Sequence, residues 1–156
     1  MNAPNDTIRI EFDLQTPVAG MDMDRLKCLV RDICIRFEVH HADVGIRVVD
    51  DAGIIDVHRQ YLGQADTTDV ISFDLSDEFE ARRTVQLVVN VQMAARQAIL
   101  RGHSVEAELA LYVTHGLLHN LGFDDADPAQ ARTMHDAEDS ILHQNGFGVI
   151  YHSDKR

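Results

Sequence analysis

"VEAELALYVTHGLLHNLGFDD", residues 105–125, decides how the rest of the chain must be arranged. From Val105 to Leu121 it is apolar nearly all round, which predicts a central helix buried on most sides. Ser104 stands at the N-cap position, and Glu106 and Glu108 fall in the first turn, where carboxylates complement the helix dipole. Inside this greasy helix, His115 and His119 are i and i+4, so their rings leave the same face one turn apart. Gly122 follows where a helix can end by turning left-handed, and the chain can then fold back to present an acid from Phe123-Asp124-Asp125. The pattern H-x-x-x-H-x-x-G-x-x-D supplies two nitrogens from a rigid helix and one oxygen from a turn. Three protein ligands leave a coordination position open, the arrangement of a catalytic metal site and not of a structural one.

Working outward, the flanks read as alternating strands and helices. "TIRIEF" (7–12), "VGIRVVD" (44–50), "TTDVISFDL" (67–75) and "TVQLVVN" (84–90) have the alternation or β-branched content of strands. The acidic "SDEFEARR" between the last two is a loop or hairpin tip. Helical spacing runs through 22–40, where Leu26, Leu29, Val30, Ile33 and Phe37 share a face. Asp50 or Asp51 can cap a helix ending near Tyr61, another runs from Val91 to Arg101 and stops at Gly102, and a last one covers Pro128 to Asn145. The order β-α-β-α-β-β-α-α-α predicts an α+β fold: one domain over 1–156, a mixed sheet of about four strands packed with about five helices, and loose ends at 1–6 and 151–156.

Composition narrows the class. Hydrophobic residues at 45% and charged residues at 26% are those of a globular chain, so neither disorder nor a fibre is in question. No run reaches the roughly 18 apolar residues of a membrane span, and "MNAPNDTIRI" lacks the pattern of a secretory signal, so a cytoplasmic protein with no membrane partner is expected. Cys28 and Cys34 form no CxxC pair and read as small buried hydrophobes. A net charge of -12 argues against binding nucleic acid by a general electrostatic blanket. The charge is uneven, however: 81–105 holds Arg82, Arg83, Arg96 and Arg101 with no acid, whereas 124–139 holds Asp124, Asp125, Asp127, Asp136, Glu138 and Asp139 against Arg132 alone. The basic stretch is a candidate phosphate-contacting face, and the acidic one can dock a basic partner or simply be solvated.

The segments "GHS" (102–104), "ELALYVTHGLLHNLGFDD" and "TTDVISF" together resemble the YbeY family of bacterial rRNA-maturation endoribonucleases, whose signature reads H-G-x-L-H-L-x-G-Y-D-H with T-D-V-L-S-F upstream. Met134, Glu138 and the pair at 141–142 fit the family's closing helix, so the similarity spans roughly 45–147. The resemblance implies a bound zinc ion and a role in rRNA processing and ribosome quality control, with rRNA or other single-stranded RNA as substrate and small-subunit or assembly proteins as partners. By position, His115 and His119 match the first two zinc-binding histidines, and Asp125 stands where the family has its third. A carboxylate is an ordinary zinc ligand, but it lowers the site's charge by one, and two histidines with one carboxylate also suit Fe²⁺ or another divalent ion. Asp124 is the expected supporting or alternative ligand, and His135 a further candidate within the last helix.

Two further departures bear on mechanism. The family's arginine after its tyrosine is Leu62 here, and its G-D pair is replaced by Val85-Gln86. Arg59, one helical turn before Leu62, is the expected substitute for binding phosphate, so His115, His119 and Arg59 form the expected catalytic set. The reading is a metal-dependent endoribonuclease. Its rivals are a ribosome-assembly factor that keeps the metal site without turnover, and a zinc protease-like hydrolase. The protease needs a glutamate as general base after the first histidine, and Gly116 stands there.

Overall fold

The computed structural model describes residues 7–147. The expectation of loose ends at 1–6 and 151–156 lies outside them. The elements follow the expected order: β1 (Thr7–Leu14), α1 (Met23–Arg36), β2 (His41–Val49), α2 (Asp51–Leu62), β3 (Val70–Asp74), β4 (Arg83–Asn90), α3 (Val91–Arg101), α4 (Val105–Asn120) and α5 (Pro128–Gln144). Local chemistry sets the boundaries. The Gly53 N–H donates to Asp50 Oδ1 at 2.8 Å to start α2, and the Ala107 N–H donates to Ser104 Oγ at 3.1 Å to start α4. Asp127 caps α5 by accepting from Gln130 N–H at 2.8 Å, with Pro128 fixing the first turn. β3 begins at Val70, later than its sequence pattern implies. Asp69 turns its carboxylate onto the Val70 N–H at 2.7 Å, and Thr67 and Thr68 bind the buried Asn90 amide instead of a neighbouring strand.

The four strands form one mixed sheet in the order β1-β2-β4-β3, with β1, β2 and β4 parallel and β3 antiparallel to β4. Side-chain alternation sorts the layers. Val44, Ile46, Val48, Leu87 and Val89 face the main core with α1, α3, α4 and α5. Val49, Val88 and Ile71 face the opposite side, where α2 packs alone through Ile54 and Val57. The expectation for α4 holds: Leu109, Leu111, Leu117 and Leu118 are all at most 2% exposed, each burial contributing about 2 kcal/mol. At Gly116 α4 lies close against the sheet. A Cβ there would stand 3.0 Å from Leu87 Cδ2 and from Val70 Cγ2, so the last turns of α4 lie tight against β3 and β4.

One cysteine departs from expectation. Cys34 is buried, but Cys28 is exposed, because a spacing of six residues on α1 turns it away from the core stripe of Leu26, Leu29, Val30 and Ile33.

Candidate metal centre

The functional side chains converge where α4 ends. Leu121 N–H bonds back to Leu117 O, Gly122 adopts φ 102°, and the chain reverses so that Phe123 N–H donates to Leu118 O at 3.0 Å. Phe123 is anchored by an edge-on contact with Phe37, ring centroids 5.4 Å apart. The reversal puts the Phe123 carbonyl 3.1 Å from His119 Nδ1 and carries Asp125 over the two rings. His115, His119 and Asp125 thereby offer one donor atom each, all within 4.8 Å of one another. His115 Nε2 and His119 Nε2 stand 3.0 Å apart, and Asp125 Oδ2 lies 3.9 and 3.7 Å from them. Donors around a tetrahedral zinc, with bonds of ~2.0–2.1 Å, stand roughly 3.3 Å apart, so this spacing needs only small shifts to close on an ion.

The hydrogen-bond pattern tests the fit independently. A carbonyl only accepts, so His119 Nδ1 carries the proton it gives to Phe123 O, and in the neutral ring Nε2 is a bare lone pair. His115 Nδ1 is held in the same way, 3.0 Å from Glu138 Oε2 on α5. With both Nδ1 atoms committed, two lone pairs confront each other at 3.0 Å unless a proton or a cation lies between them. A divalent ion satisfies both nitrogens and the Asp125 carboxylate together, which is the carboxylate–histidine–metal arrangement of known metal sites. Exposure is graded: Glu138 is fully buried, His115 16% exposed and Asp125 42%. Burial opposes charging His115, but the hydrogen bond and charge of Glu138, helped by Asp69 and Asp125, outweigh it and raise the imidazole above its ordinary range.

The histidines form one wall of a cavity of about 360 Å³, faced by Thr68, Asp69, Val70, Ile71 and Ser72 from β3 and the segment before it, and by His58 and Leu62 from α2. Ser72 Oγ accepts from Asn120 Nδ2 at 3.1 Å, tying β3 to the end of α4. Other expected residues stand elsewhere. Asp124 is outside the three-donor group; its Oδ1 accepts the Asp125 N–H at 2.7 Å and so shapes the turn that presents Asp125. His135 does not join the group either. Arg59 is exposed and does not line the cavity. It precedes Leu62 by three residues, whereas the residue that shares Leu62's cavity-facing side is His58, four before it.

The four arginines do not gather into one basic face, because folding separates them. Arg82 binds Asp43 Oδ1 and Thr7 O, both at 3.2 Å, and Arg83 binds Asn120 O at 3.0 Å. Arg96 makes a two-pronged pair with Asp51 at 2.8 and 3.0 Å, and Arg101 meets Glu108 at 3.3 Å. Arg83 and Arg101 thus contact opposite ends of α4, roughly 18 Å apart along the helix. Sequence reasoning missed Glu138 as the partner of His115 and His58 as a cavity wall. The available signal was a polar residue on an apolar stripe, Glu138 among Met134, Ile141 and Leu142, and His58 one turn after Ile54.

Comparison with known proteins agrees with this geometry. Residues 13–146 match the profile of the family described as Endoribonuclease YbeY. A protein named Endoribonuclease YbeY from Nocardioides is 34% identical over 131 residues, covering 78% of this chain and 88% of that one. Its namesake from Beutenbergia cavernae is 33% identical over 141 residues (85% and 93%), and that from Thermobifida fusca 36% over 131 (78% and 84%). The fold matches the solution structure of TM1509 from Thermotoga maritima with a TM-score of 0.57 at 21% identity, covering 88% of this chain and 91% of that one. The profile spans β2 to β4, the histidine pair and the closing helix alike, and the chain belongs to the YbeY family.

Proposed function

We propose that this chain is a metal-dependent endoribonuclease that cuts single-stranded RNA during rRNA maturation and ribosome quality control in the cytoplasm. The observation that carries the reading is the pair of Nε2 atoms facing each other at 3.0 Å beside Asp125, on the wall of an open cavity, in a chain whose relatives are named endoribonucleases. Zn²⁺ is the ion the two nitrogens and one carboxylate favour, with Fe²⁺ as the competitor. When bound, the ion supplies Lewis-acid polarisation of a phosphodiester oxygen. The chain's own residues do the rest. Glu138 and the Phe123 carbonyl fix both rings with Nε2 toward the cavity, and Asp125 closes the third side. Arg83, which has a carbonyl and not a carboxylate as its closest partner at the Asn120 end of α4, is the member of the basic segment best placed to meet the RNA backbone; Arg82, Arg96 and Arg101 are held by acids.

A protease is disfavoured by packing as well as by chemistry. A side chain at Gly116 would crowd Leu87 and Val70, which would have to shift to admit even a Cβ. The assembly-factor reading draws support from one feature: among the described residues no lysine or arginine lines the cavity, and Leu62 occupies the wall where the family's arginine is expected. One comparison separates the readings. Wild type should cleave single-stranded rRNA fragments, lose activity with a chelator and regain it with Zn²⁺, and Zn²⁺ at a hundred times its Kd should stabilise the fold by about 2.7 kcal/mol. His119→Ala should lose both the cleavage and the zinc-dependent stabilisation. Zinc-dependent stabilisation of wild type without any cleavage would favour the assembly factor.

A further inference from the structure

We propose that His58 is the proton donor to the departing oxygen of the cleaved phosphodiester, an inference that rests on the endoribonuclease reading above. His58 is only 8% exposed, and it lines the same cavity as His115 and His119. Its Nδ1 lies 2.9 Å from the carbonyl of Asp66, an acceptor only, so that nitrogen carries a proton and the ring is held in one orientation. Asp66 Oδ1 lies 3.6 Å from the same nitrogen, on the side of the ring away from Nε2. Nε2 has no hydrogen bond among the described residues, leaving it for whatever enters the cavity.

The other lining residues leave few rivals for the role. With His115 and His119 committed to a metal, the remaining polar side chains are Thr68, Asp69 and Ser72. The two hydroxyls are weak acids, and Asp69 Oδ1 is occupied as an acceptor by Val70 N–H at 2.7 Å and Thr68 Oγ1 at 3.3 Å. His58 is also the polar residue that shares the cavity face of α2 with Leu62, so the chain that lacks the family's arginine carries an imidazole one turn earlier.

In the step, water adds to phosphorus and its oxygen forms the new P–O bond, while one of its protons passes to solvent. The opposite P–O bond breaks, and its electron pair stays on the departing ribose oxygen. That oxygen takes the proton from His58 Nε2, and the ring, neutral with Nδ1–H still on Asp66 O, is reprotonated from solvent.

The discriminating variant is His58→Asn. Its amide nitrogen occupies the place of Nδ1 and can keep the bond to Asp66 O, but it has nothing in the place of Nε2. Two substrates are compared on zinc-loaded protein: a single-stranded oligoribonucleotide, whose departing alkoxide needs a proton, and a 4-nitrophenyl phosphodiester, whose departing phenolate does not. His58→Asn should lower kcat on RNA about 100-fold with KM and zinc content unchanged, and change the nitrophenyl ester by less than about threefold. His58→Gln, which places an amide near the Nε2 position, should show the same split, since an amide does not release a proton. Equal losses on both substrates would make His58 a structural strut for the 63–69 segment and overturn the proposal, as would full activity of His58→Asn on RNA. Wild type that binds zinc but cleaves no RNA would instead remove the nuclease reading itself.

Discussion

In the first turn of α4, Glu108 is completely buried and meets the Arg101 guanidinium at 3.3 Å; beside the last turns of the same helix, Glu138 is equally buried and hydrogen-bonds the His115 ring, at 3.0 Å. The first cluster is closed. Arg101 balances the carboxylate, and Tyr112 stands next to it as a further partner. The second gathers Glu138, Asp69 and Asp125 around two imidazoles, with no lysine or arginine on the cavity wall among the described residues. A buried acid with its own cation is a structural device, whereas a buried acid that orients a lone pair toward an open cavity is arranged to receive a cation from outside. The two clusters should therefore answer differently to the loss of one partner.

The largest effect belongs to the closed cluster. Arg101→Ala leaves Glu108 buried without its hydrogen-bonded cation, with the His103 ring as the remaining basic neighbour, and should cost about 3 kcal/mol at neutral pH in equilibrium urea unfolding. The pH dependence has a defined sign. Burial, opposed by Arg101, already holds Glu108 above its ordinary value of 4.5. An acid raised on folding contributes stability that is complete below 4.5 and is lost as pH rises through its higher folded value. Removing Arg101 widens that gap, so the penalty should shrink as pH falls toward 4.5. A penalty that stays constant over that range would show that packing, and not the pair, was lost.

The open cluster should respond in ligand affinity and much less in stability. Glu138→Gln keeps an acceptor for His115 Nδ1 but removes the charge that strengthens His115 as a donor. Zinc affinity, measured by competition with a chromophoric chelator, should fall about tenfold or more. Metal-free stability should change by less than about 1 kcal/mol, because the substitution relieves a crowd of carboxylates instead of stranding a charge. If Glu138→Gln destabilised the metal-free protein as much as Arg101→Ala does, the two ends of α4 would be the same kind of structure.

This contrast also shows what could be read from the chain alone. The elements were legible because each depends on neighbours in sequence: the caps at Asp50 and Ser104, the stop at Gly102, the all-round apolar α4. The histidine pair and Asp125 were legible for the same reason, since a helical turn and a glycine bend join them. The order β1-β2-β4-β3 was not, because it depends on which strands meet across long connections. Neither was Glu138, whose role exists only once α5 docks on α4. Arg59, the residue expected to stand in for the family's arginine, points to solvent, while its neighbour His58 lines the cavity; on a helix one residue is a rotation of about 100°. The arginines of the basic segment, contiguous in sequence, are separated by folding: Arg83 and Arg101 reach opposite ends of α4, Arg82 meets Asp43 and Arg96 meets Asp51.

Asp51 and Arg96 form a third acid–cation cluster, and they separate the effect of pairing from that of burial. Their contact is the best-formed of the three, two hydrogen bonds at 2.8 and 3.0 Å, yet Arg96 is half exposed and Asp51 a third. The bond to Arg96, then that to Asn90, holds the Asp51 carboxyl down at about 2. An acid lowered on folding contributes stability that is present above its ordinary value of 3.8 and is lost as pH falls toward 2. Solvent screens such a pair, so Arg96→Ala should cost several times less than Arg101→Ala at neutral pH. The two penalties should also move in one direction for different reasons. That of Arg101→Ala starts to fade as Glu108 takes up a proton above 4.5, while that of Arg96→Ala holds until Asp51 is protonated below 3.8. Urea unfolding of both variants across that acidic range measures the order directly. A loss at Arg96 equal to that at Arg101 would mean that geometry, not burial, sets the strength of these pairs, and the distinction between the closed and open ends of α4 would lose its basis.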